Sequence, residues 1–386
     1  MKQTKNAWLV IISGLFMTAA IPSCSKKDST PPPPAPKTTI TSFTPGSGYS
    51  GDTITIAGTN FTGATAVTFG GTGAKSFTVV SATSIKAIIG TGTTGSVSVT
   101  APTGTASLAG FTFNSGFPPV DGYSSSNEIE PASLIAYWPF DGNATELKHT
   151  AVPVLMGGTQ TFVTGKIGQA VHLAAGWLTY GTAATSASAD NTTFASNDTL
   201  RNGFTLSLWA QAPQTETLST LFQLSSPAVA NWPVLGIQFR KHADNSFDFD
   251  GGLTNVDGTG THPSYAAAFK EPTFMDTTSW TLFTMTFDAG NKSLKYYANG
   301  KLVNTVDLKT TGGIFPDAND VLLMVTPNYA TIGAAESKQT TPGSTNDPAG
   351  YMAYGITGNI DDIRLFRKTL TDKQVNDLFV LGNQGR

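Results

Sequence analysis

The sequence predicts an all-β chain: a small sandwich followed by a larger antiparallel one. Three observations carry this. Charged residues make up 13% of the chain, about half of the roughly 25% usual in soluble domains, so the charged faces that solvate helices are scarce. Glycine and proline are abundant, at 40 and 22 residues, which suits short strands closed by turns. No apolar stripe of period 3.6 persists over any long stretch. The 386 residues suffice for about two or three domains. With 23 Lys plus Arg against 26 Asp plus Glu, there is no basic excess to hold a nucleic acid.

At the amino terminus, Lys2 and Lys5 precede an uncharged, largely apolar run from Ala7 to Ala20. That run falls short of the about 20 residues a spanning helix needs, so residues 1–23 read as a signal peptide. It ends at Ile21-Pro22-Ser23-Cys24, which resembles a bacterial lipobox with Pro22 in place of the usual small residue; Cys24 is the only cysteine. The resemblance implies a lipid on Cys24, which leaves no thiol for a disulfide and makes the acyl chains the chain's only contact with a membrane. Residues 24–37 form a lipid-anchored tether, stiffened by Pro31 to Pro34 and Pro36. Its start, Ser25-Lys26-Lys27-Asp28-Ser29, is similar to the tethers of surface-displayed lipoproteins in Gram-negative polysaccharide degraders. Anchoring in the outer membrane, facing outward, is the expectation.

From residue 38 to 114, short β-branched runs alternate with Gly, Asn, Asp and Pro at the spacing of an immunoglobulin-like sandwich. Strands are expected over Thr53 to Ala57, Ala66 to Phe69, Phe77 to Val80, Ile85 to Ile88, Ser96 to Thr100 and Gly110 to Phe113. Ile54 and Ile56 alternate inward, Gly58 permits a tight bend or a positive φ, and Phe61 can plug one end. The segments Ile40-Thr41-Ser42-Phe43-Thr44-Pro45, Ile54 to Phe61, Val67-Thr68-Phe69-Gly70-Gly71 and Phe111-Thr112-Phe113 resemble the IPT/TIG family, whose members at cell surfaces are mostly spacers. Gly90, Gly92 and Gly95 fit GxGxxG, but the strand Ser96 to Thr100 follows where a dinucleotide site needs a helix. The motif reads as a glycine-rich turn.

Residues 115–131, rich in Ser, Gly and Pro, read as a linker, and residues 132–386 as a second strand-rich domain. Asn299-Gly300 lies between Leu294 to Ala298 and Lys301 to Val306 and predicts a type I′ hairpin. Thr371 and Gln374 predict a capped short helix with Val375, Leu378 and Phe379 turned inward. Six blocks in order resemble the LamG-like jelly roll of the concanavalin A-like superfamily. They are Leu134 to Asn143, Gly165 to Leu173, Gly203 to Trp209, Trp280 to Asp288, Tyr296 to Lys301 and Gly358 to Phe366. The expected fold is therefore all-β: an immunoglobulin-like sandwich followed by a larger antiparallel jelly-roll β-sandwich.

Enzymes of that superfamily carry Glu-x-Asp-x-(x)-Glu on one strand, yet Glu146, Glu216, Glu271 and Glu336 are each isolated in sequence. Asp248 and Asp250 share one strand face but lack a Glu partner, and suit hydrogen bonding to sugar hydroxyls better than catalysis. His149, His172, His242 and His262 form no zinc pattern, His172 reads as structural, and no GxSxG elbow occurs. The resemblance implies one structural Ca²⁺, with Asp361 at the start of the last Asp-x-Ile-Arg strand and Asp141 as candidate ligands. The alternative for Asp361 is to cap a turn or pair with Arg364. Ser246, Asp248, Asp250, Gly251 and Asp257 are spaced like an EF-hand loop, but strands flank them. Sugar recognition needs an exposed aromatic plane beside amides or carboxylates. Trp138, Trp209 and Trp280 lie in apolar alternation and read as core; Trp232 and Tyr265, in loop-like settings, are the candidate platform, with Tyr329, Tyr351 and Tyr354 also in turn-rich segments. The expected function is a non-catalytic surface lipoprotein whose larger domain binds a glycan and whose first domain is a spacer. Adhesion to a protein partner is the alternative reading, and glycoside hydrolysis a third.

Overall fold

The computed structural model describes residues 36–181, 200–211, 218–225, 234–241, 247–257, 260–270, 279–309, 315, 322–323, 327, 329–334 and 355–386. The signal segment, Cys24 and most of the tether lie outside them. Two compact units divide the chain, Met1–Gly116 and Phe117–Arg386.

In the first unit the strands are β1 (Thr39–Thr44), β2 (Ser47–Gly48), β3 (Thr53–Thr59), β4 (Ala66–Phe69), β5 (Thr72–Gly73), β6 (Ser76–Ser81), β7 (Ser84–Ile88), β8 (Gly95–Ala101) and β9 (Gly104–Phe113). Sheet β1-β3-β7-β6 faces sheet β2-β9-β8-β4-β5. Alternation does what was expected of it: Ile54, Ile56, Ile85, Val97, Phe69 and Phe111 form one buried core, and Phe61 closes it. Strand β9 begins six residues earlier than the sequence suggested and pairs with β8 from Ala101↔Gly104 onward. Gly58 has a different reason from the one expected. It is not among the positive-φ residues; a Cβ there would lie 1.9 Å from the Thr39 carbonyl oxygen and 2.5 Å from the Phe61 ring. Residues 90–94 join β7 to β8 with no helix, so the GxGxxG spacing is a turn.

The second unit contains β10 (Leu134–Trp138), β11 (Leu155–Thr164), β12 (Gln169–Gly181), β13 (Phe204–Gln211), β14 (Leu218–Ser225), β15 (Leu235–Lys241) and β16 (Phe247–Asp257). It continues with β17 (Gly260–Lys270), β18 (Thr281–Asp288), β19 (Ser293–Ala298), β20 (Lys301–Asp307), β21 (Tyr329–Ile332), β22 (Ile356–Phe366) and the helix α1 (Asp372–Asn383). The strands run in the order β17-β16-β15-β14-β21-β12-β22-β13-β18-β19-β20, with β10 on β22 and β11 on β12. Strand β12 is the pivot: its first half pairs with β22 and its second half with β21. One layer therefore curls over the other around a core that includes Trp138, Tyr180, Leu206, Phe222, Ile237, Phe283, Tyr296 and Ile363.

Local chemistry fixes the ends of these elements. Asn299 and Gly300 take φ of 51° and 75°, the two positive values a type I′ turn requires. Helix α1 starts with a complete Thr371–Gln374 capping box. It covers the outer side of β13, β18 and β19, burying Val375, Leu378 and Leu381 against Trp209, Leu282 and Tyr297. The stretch 115–131 differs from the linker reading, because from Phe117 onward it belongs to the second unit. Arg386 donates to the carbonyls of Phe117, Pro118 and Ser124, and Ile129 is buried in the helix cluster. Its Ser, Gly and Pro content suits a wrapped segment held by backbone carbonyls as well as a free one.

Candidate ligand-binding face

Side-chain alternation gives the curled layer two unlike faces. Leu178 and Tyr180 on β12, Ala330 and Ile332 on β21, Phe222 and Leu224 on β14, and Ile237 and Phe239 on β15 all point into the core. The residues between them point the other way, and these are Trp177, Thr179, Tyr329, Thr331, Gln223, Ser225, Gly236 and Gln238. The register aligns them across the strands: Thr179↔Thr331, Gln223↔Thr331, Gln223↔Gly236, Gly236↔Gly252 and Gly252↔Tyr265. A second row runs Thr220↔Gln238, Gln238↔Asp250 and Asp250↔Ala267. At about 4.8 Å between strands, the first row is roughly 24 Å long.

This outer strip is polar yet buried. Thr179 and Thr331 are 0% exposed, Gln223 3% and Gln238 7%. The Thr179 and Thr331 hydroxyls bond each other at 3.0 Å. Among the described residues, Gln223 Nε2 and Thr220 Oγ1 are buried without a hydrogen-bond partner, a state that calls for a water, an ion or a ligand. Two half-buried aromatic residues flank the row. Tyr329 stands opposite Gly181 and Ser225. Four positions away along the strands, about 13 Å, Trp177 lies across β11, where a Cβ on Gly157 would come 2.2 Å from its Nε1.

The expected ligand-binding residues distribute as follows. Tyr265 lies on strand β17 and not in the expected loop, opposite Gly252 in register, and Asp250 stands opposite Gln238 and Ala267. By backbone register Asp248 stands opposite Arg240 and Lys270. Trp232, Tyr351, Tyr354, His242, Glu216, Glu271 and Glu336 lie outside the described residues. Trp138 and Trp209 are buried and Trp280 packs at the helix cluster. Sequence reasoning passed over Trp177; the signal was there in Trp177-Leu178-Thr179-Tyr180, an alternation that turns Trp177 and Thr179 away from a core pair.

The carboxylates have separate tasks. Asp141 and Asp361 converge on the turn between β11 and β12. Asp361 Oδ2 accepts from the backbone N–H groups of Lys166 (2.7 Å) and Ile167 (2.9 Å). Asp141 Oδ1 accepts from Gln169 N–H at 2.8 Å. Gly165 and Gly168 leave room for both, since a Cβ on either would fall within 2.6 Å of the facing carboxylate oxygen. Among the described residues Asp361 Oδ1 is buried without a partner. Burial, aided by the charges of Asp362 and Asp141, pushes this carboxyl up to about 8 despite the two N–H donors. Asp361 thus caps the turn, and the Arg364 pairing falls to its neighbour. Arg364 binds Asp362 through Nε and Nη2, both at 2.9 Å, and also reaches Ser126 Oγ.

Glu146 is wholly committed to structure, accepting from the backbone of Tyr137, Lys148 and His149 and meeting His149 Nδ1 at 3.1 Å. His172 Nδ1 bonds Asn359 Oδ1 at 2.7 Å, the structural role expected. Asp248, Asp250, Gly251 and Asp257 of the EF-hand-like spacing fall on strand β16, which is extended where a calcium loop must turn, and Ser246 lies outside the described residues. No group of three His, Cys, Asp or Glu gathers as a metal cage among the described residues.

The comparisons agree with this architecture. An IPT/TIG domain family model matches residues 38–116. A model of the concanavalin A-like lectin/glucanases superfamily matches residues 184–376, half of the chain. The chain belongs to the concanavalin A-like lectin/glucanases superfamily and carries an IPT/TIG domain before it. No curated protein matches. Among solved structures, domain 4 of an extracellular arabinanase from Geobacillus stearothermophilus, in complex with arabinotriose, is 18% identical. That alignment covers 64% of this chain and 98% of that one, with a TM-score of 0.40. The binding domain of botulinum neurotoxin DC, in complex with SialylT, is 14% identical over 66% of this chain and 52% of that one, with a TM-score of 0.42. A SAP-like pentraxin from Limulus polyphemus is 13% identical over 45% and 68%, with a TM-score of 0.33. The chain thus spans about half the length of the neurotoxin domain.

Proposed function

We propose that this is a non-catalytic glycan-binding protein, anchored through Cys24 in the outer membrane and facing outward, with the IPT/TIG domain as spacer. One observation carries the glycan reading: an uncharged row of hydroxyls and amides, Thr179, Thr331, Gln223 and Gln238, lies between two half-buried aromatic residues, Trp177 and Tyr329. A pyranose offers an apolar CH face and a rim of hydroxyls, which the rings of Trp177 and Tyr329 and the amides of Gln223 and Gln238 would match, while Thr179 and Thr331, 0% exposed and bonded to each other, support that row from within. Gln223 Nε2, buried and without a partner among the described residues, is the donor to which a sugar hydroxyl would be directed. Weak affinity at one site would be offset by many copies on one membrane. Asp361 Oδ1 and Asp141 would supply two of the six to eight oxygens of a structural Ca²⁺, with backbone carbonyls and water completing the shell.

The test is affinity electrophoresis of the full chain on a panel of neutral polysaccharides. At least one should retard it, and Trp177→Ala and Gln223→Ala should each weaken the retardation by about tenfold, or about 1.4 kcal/mol. Trp232→Ala examines the loop platform separately. No retardation on any glycan, or turnover of an oligosaccharide by the purified protein, would overturn the reading.

A further inference from the structure

Residues 117–130 belong to the second unit, yet they are built like a tether. Apart from the 3₁₀ turn Ser126–Glu128 and a bridge between Val120 and Tyr123, they hold no regular structure. None of them joins the main core of the sandwich. Ile129, with Val120 and Tyr123, packs instead in the smaller cluster around helix α1. A segment held only by a peripheral layer can open without opening the sheets.

Three cations late in the chain hold this segment down. Lys368 meets Glu130 at 2.6 Å, Lys373 Nζ bonds Asp121, and Arg386 donates to the carbonyls of Phe117, Pro118 and Ser124. The Lys368 and Lys373 side chains are 49% and 62% exposed, and pairs this exposed hold weakly. Asp377 works against closure. It lies one helical turn from Lys373 and is 1% exposed, and neither of its carboxylate oxygens has a hydrogen-bond partner among the described residues. Lys373 Nζ, already engaged by Asp121, is 3.6 Å from Asp377 Oδ2. Burial raises the Asp377 carboxyl, and the facing Asp121 carboxylate adds to the rise. A charge desolvated without donors is costly, and opening the segment would return water to it.

We propose that residues 117–130 are a releasable strap: closed, it shortens the connection between the two units, and open, it lengthens that connection while the second sandwich stays folded. The lengths follow from where the chain is fixed. Asn114 is held to the first unit by its N–H on the Gly48 carbonyl at 2.9 Å, and Phe117 to the second by Arg386. The closed connection is therefore Ser115 and Gly116, at most about 7 Å of chain. Released, it runs from Ser115 to Ser133, just before β10, at most about 65 Å at about 3.4 Å per residue. The longer connection lets the second unit reach a ligand farther from the first and changes the effective concentration it meets there. The strap uses none of the residues of the polar row, and its release is independent of what that row binds.

Hydrogen exchange on the full, unmodified chain reads the opening directly. The amides of Ser126 and Ile129, which donate to the carbonyls of Arg386 and Ser126, should exchange at least about tenfold faster than those of β10 and β22 after correction for intrinsic rates. Arg386→Ala combined with Lys373→Met should quicken the strap amides by a further factor of about ten and leave β10 and β22 unchanged. Asp377→Asn should slow them by about threefold or more, because it removes the desolvated charge; a segment held simply by its contacts would not tighten. For the length, Thr78→Cys on β6 and Thr305→Cys on β20, in a Cys24→Ser chain, take a donor and an acceptor dye. Loosening the clamp with the Arg386 and Lys373 changes should add a broad population of different energy transfer. Strap amides as slow as those of β10, an Asp377→Asn chain with unchanged or faster strap exchange, or an energy-transfer distribution unmoved by the loosened clamp would each overturn the proposal.

Discussion

Gly157 shows how one missing side chain can shape a surface. The Trp177 indole occupies the space where a Cβ would sit, with Nε1, Cε2 and Cζ2 all within 2.8 Å of that point. Gly157 is not among the positive-φ residues, so alanine is acceptable to the backbone and intolerable only to the ring. Gly157→Ala should displace the indole and cost about 1–3 kcal/mol, the usual range for overpacking. If Trp177 stacks on sugar, the same change should weaken polysaccharide retardation as Trp177→Ala does. Gly73→Ala, at a site with no atom within 4 Å of the added carbon, should do neither. Thermal unfolding and affinity electrophoresis on the three variants separate these outcomes. Residues of this kind were the hardest to find in the sequence. Fully buried Trp138 and Trp209 announced themselves by their apolar neighbours, whereas Trp177 has a glycine before it and its partner Gly157 is 20 positions away.

Helix α1 is held partly by charge, and this makes its docking sensitive to acid. Lys295 and the Tyr297 hydroxyl, both 2.8 Å from Asp372 Oδ1, hold that carboxyl below the usual range. Lys368 and Gln374 do the same for Glu130. Carboxyls lowered in the folded state stabilise it above their unfolded values, near pH 4, and that contribution is lost as pH falls through the lower, folded ones. Near-UV circular dichroism, reporting on the stacked Trp209–Phe379 pair, should therefore be constant from neutral pH to about 5 and decline below about 4. Both pairs are partly exposed, so each contributes only about 0.2–1 kcal/mol. Lys295→Met combined with Lys368→Met should flatten the decline; an unchanged profile would assign it to other carboxyls. The helix and its cap were legible from Thr371 and Gln374 alone, because a capping box is a local signal. The segment it covers was not. Residues 117–131 have the composition of a linker, and what binds them is Arg386, more than 250 positions later.

At the scale of the whole unit, the turn between β11 and β12 joins parts of the chain that are far apart. Asp141 follows β10, near the start of the unit, and Asp361 lies on β22, near its end; Asp361 accepts from the four-residue turn and Asp141 from the first residue of β12 beside it. Alternation and turn chemistry made the strands readable, but they could not show that these two aspartates meet, because contact between them depends on β22 reaching the middle of the sheet. Among the described residues Asp361 Oδ1 is buried without a donor, which leaves two cases: a bound cation, or a proton or water in its place. The two cases differ in their response to calcium. If Ca²⁺ binds there, saturating it at about 100 times Kd stabilises the fold by about 2.7 kcal/mol. At about 2–4 °C per kcal/mol for a domain of this size, Tm should rise by roughly 5–10 °C over the chelator-treated protein. Asp361→Asn, which removes the charge and keeps the shape, should abolish that rise. If Tm is the same with calcium and with chelator, no calcium is held there, and the two carboxylates serve only to clamp the turn.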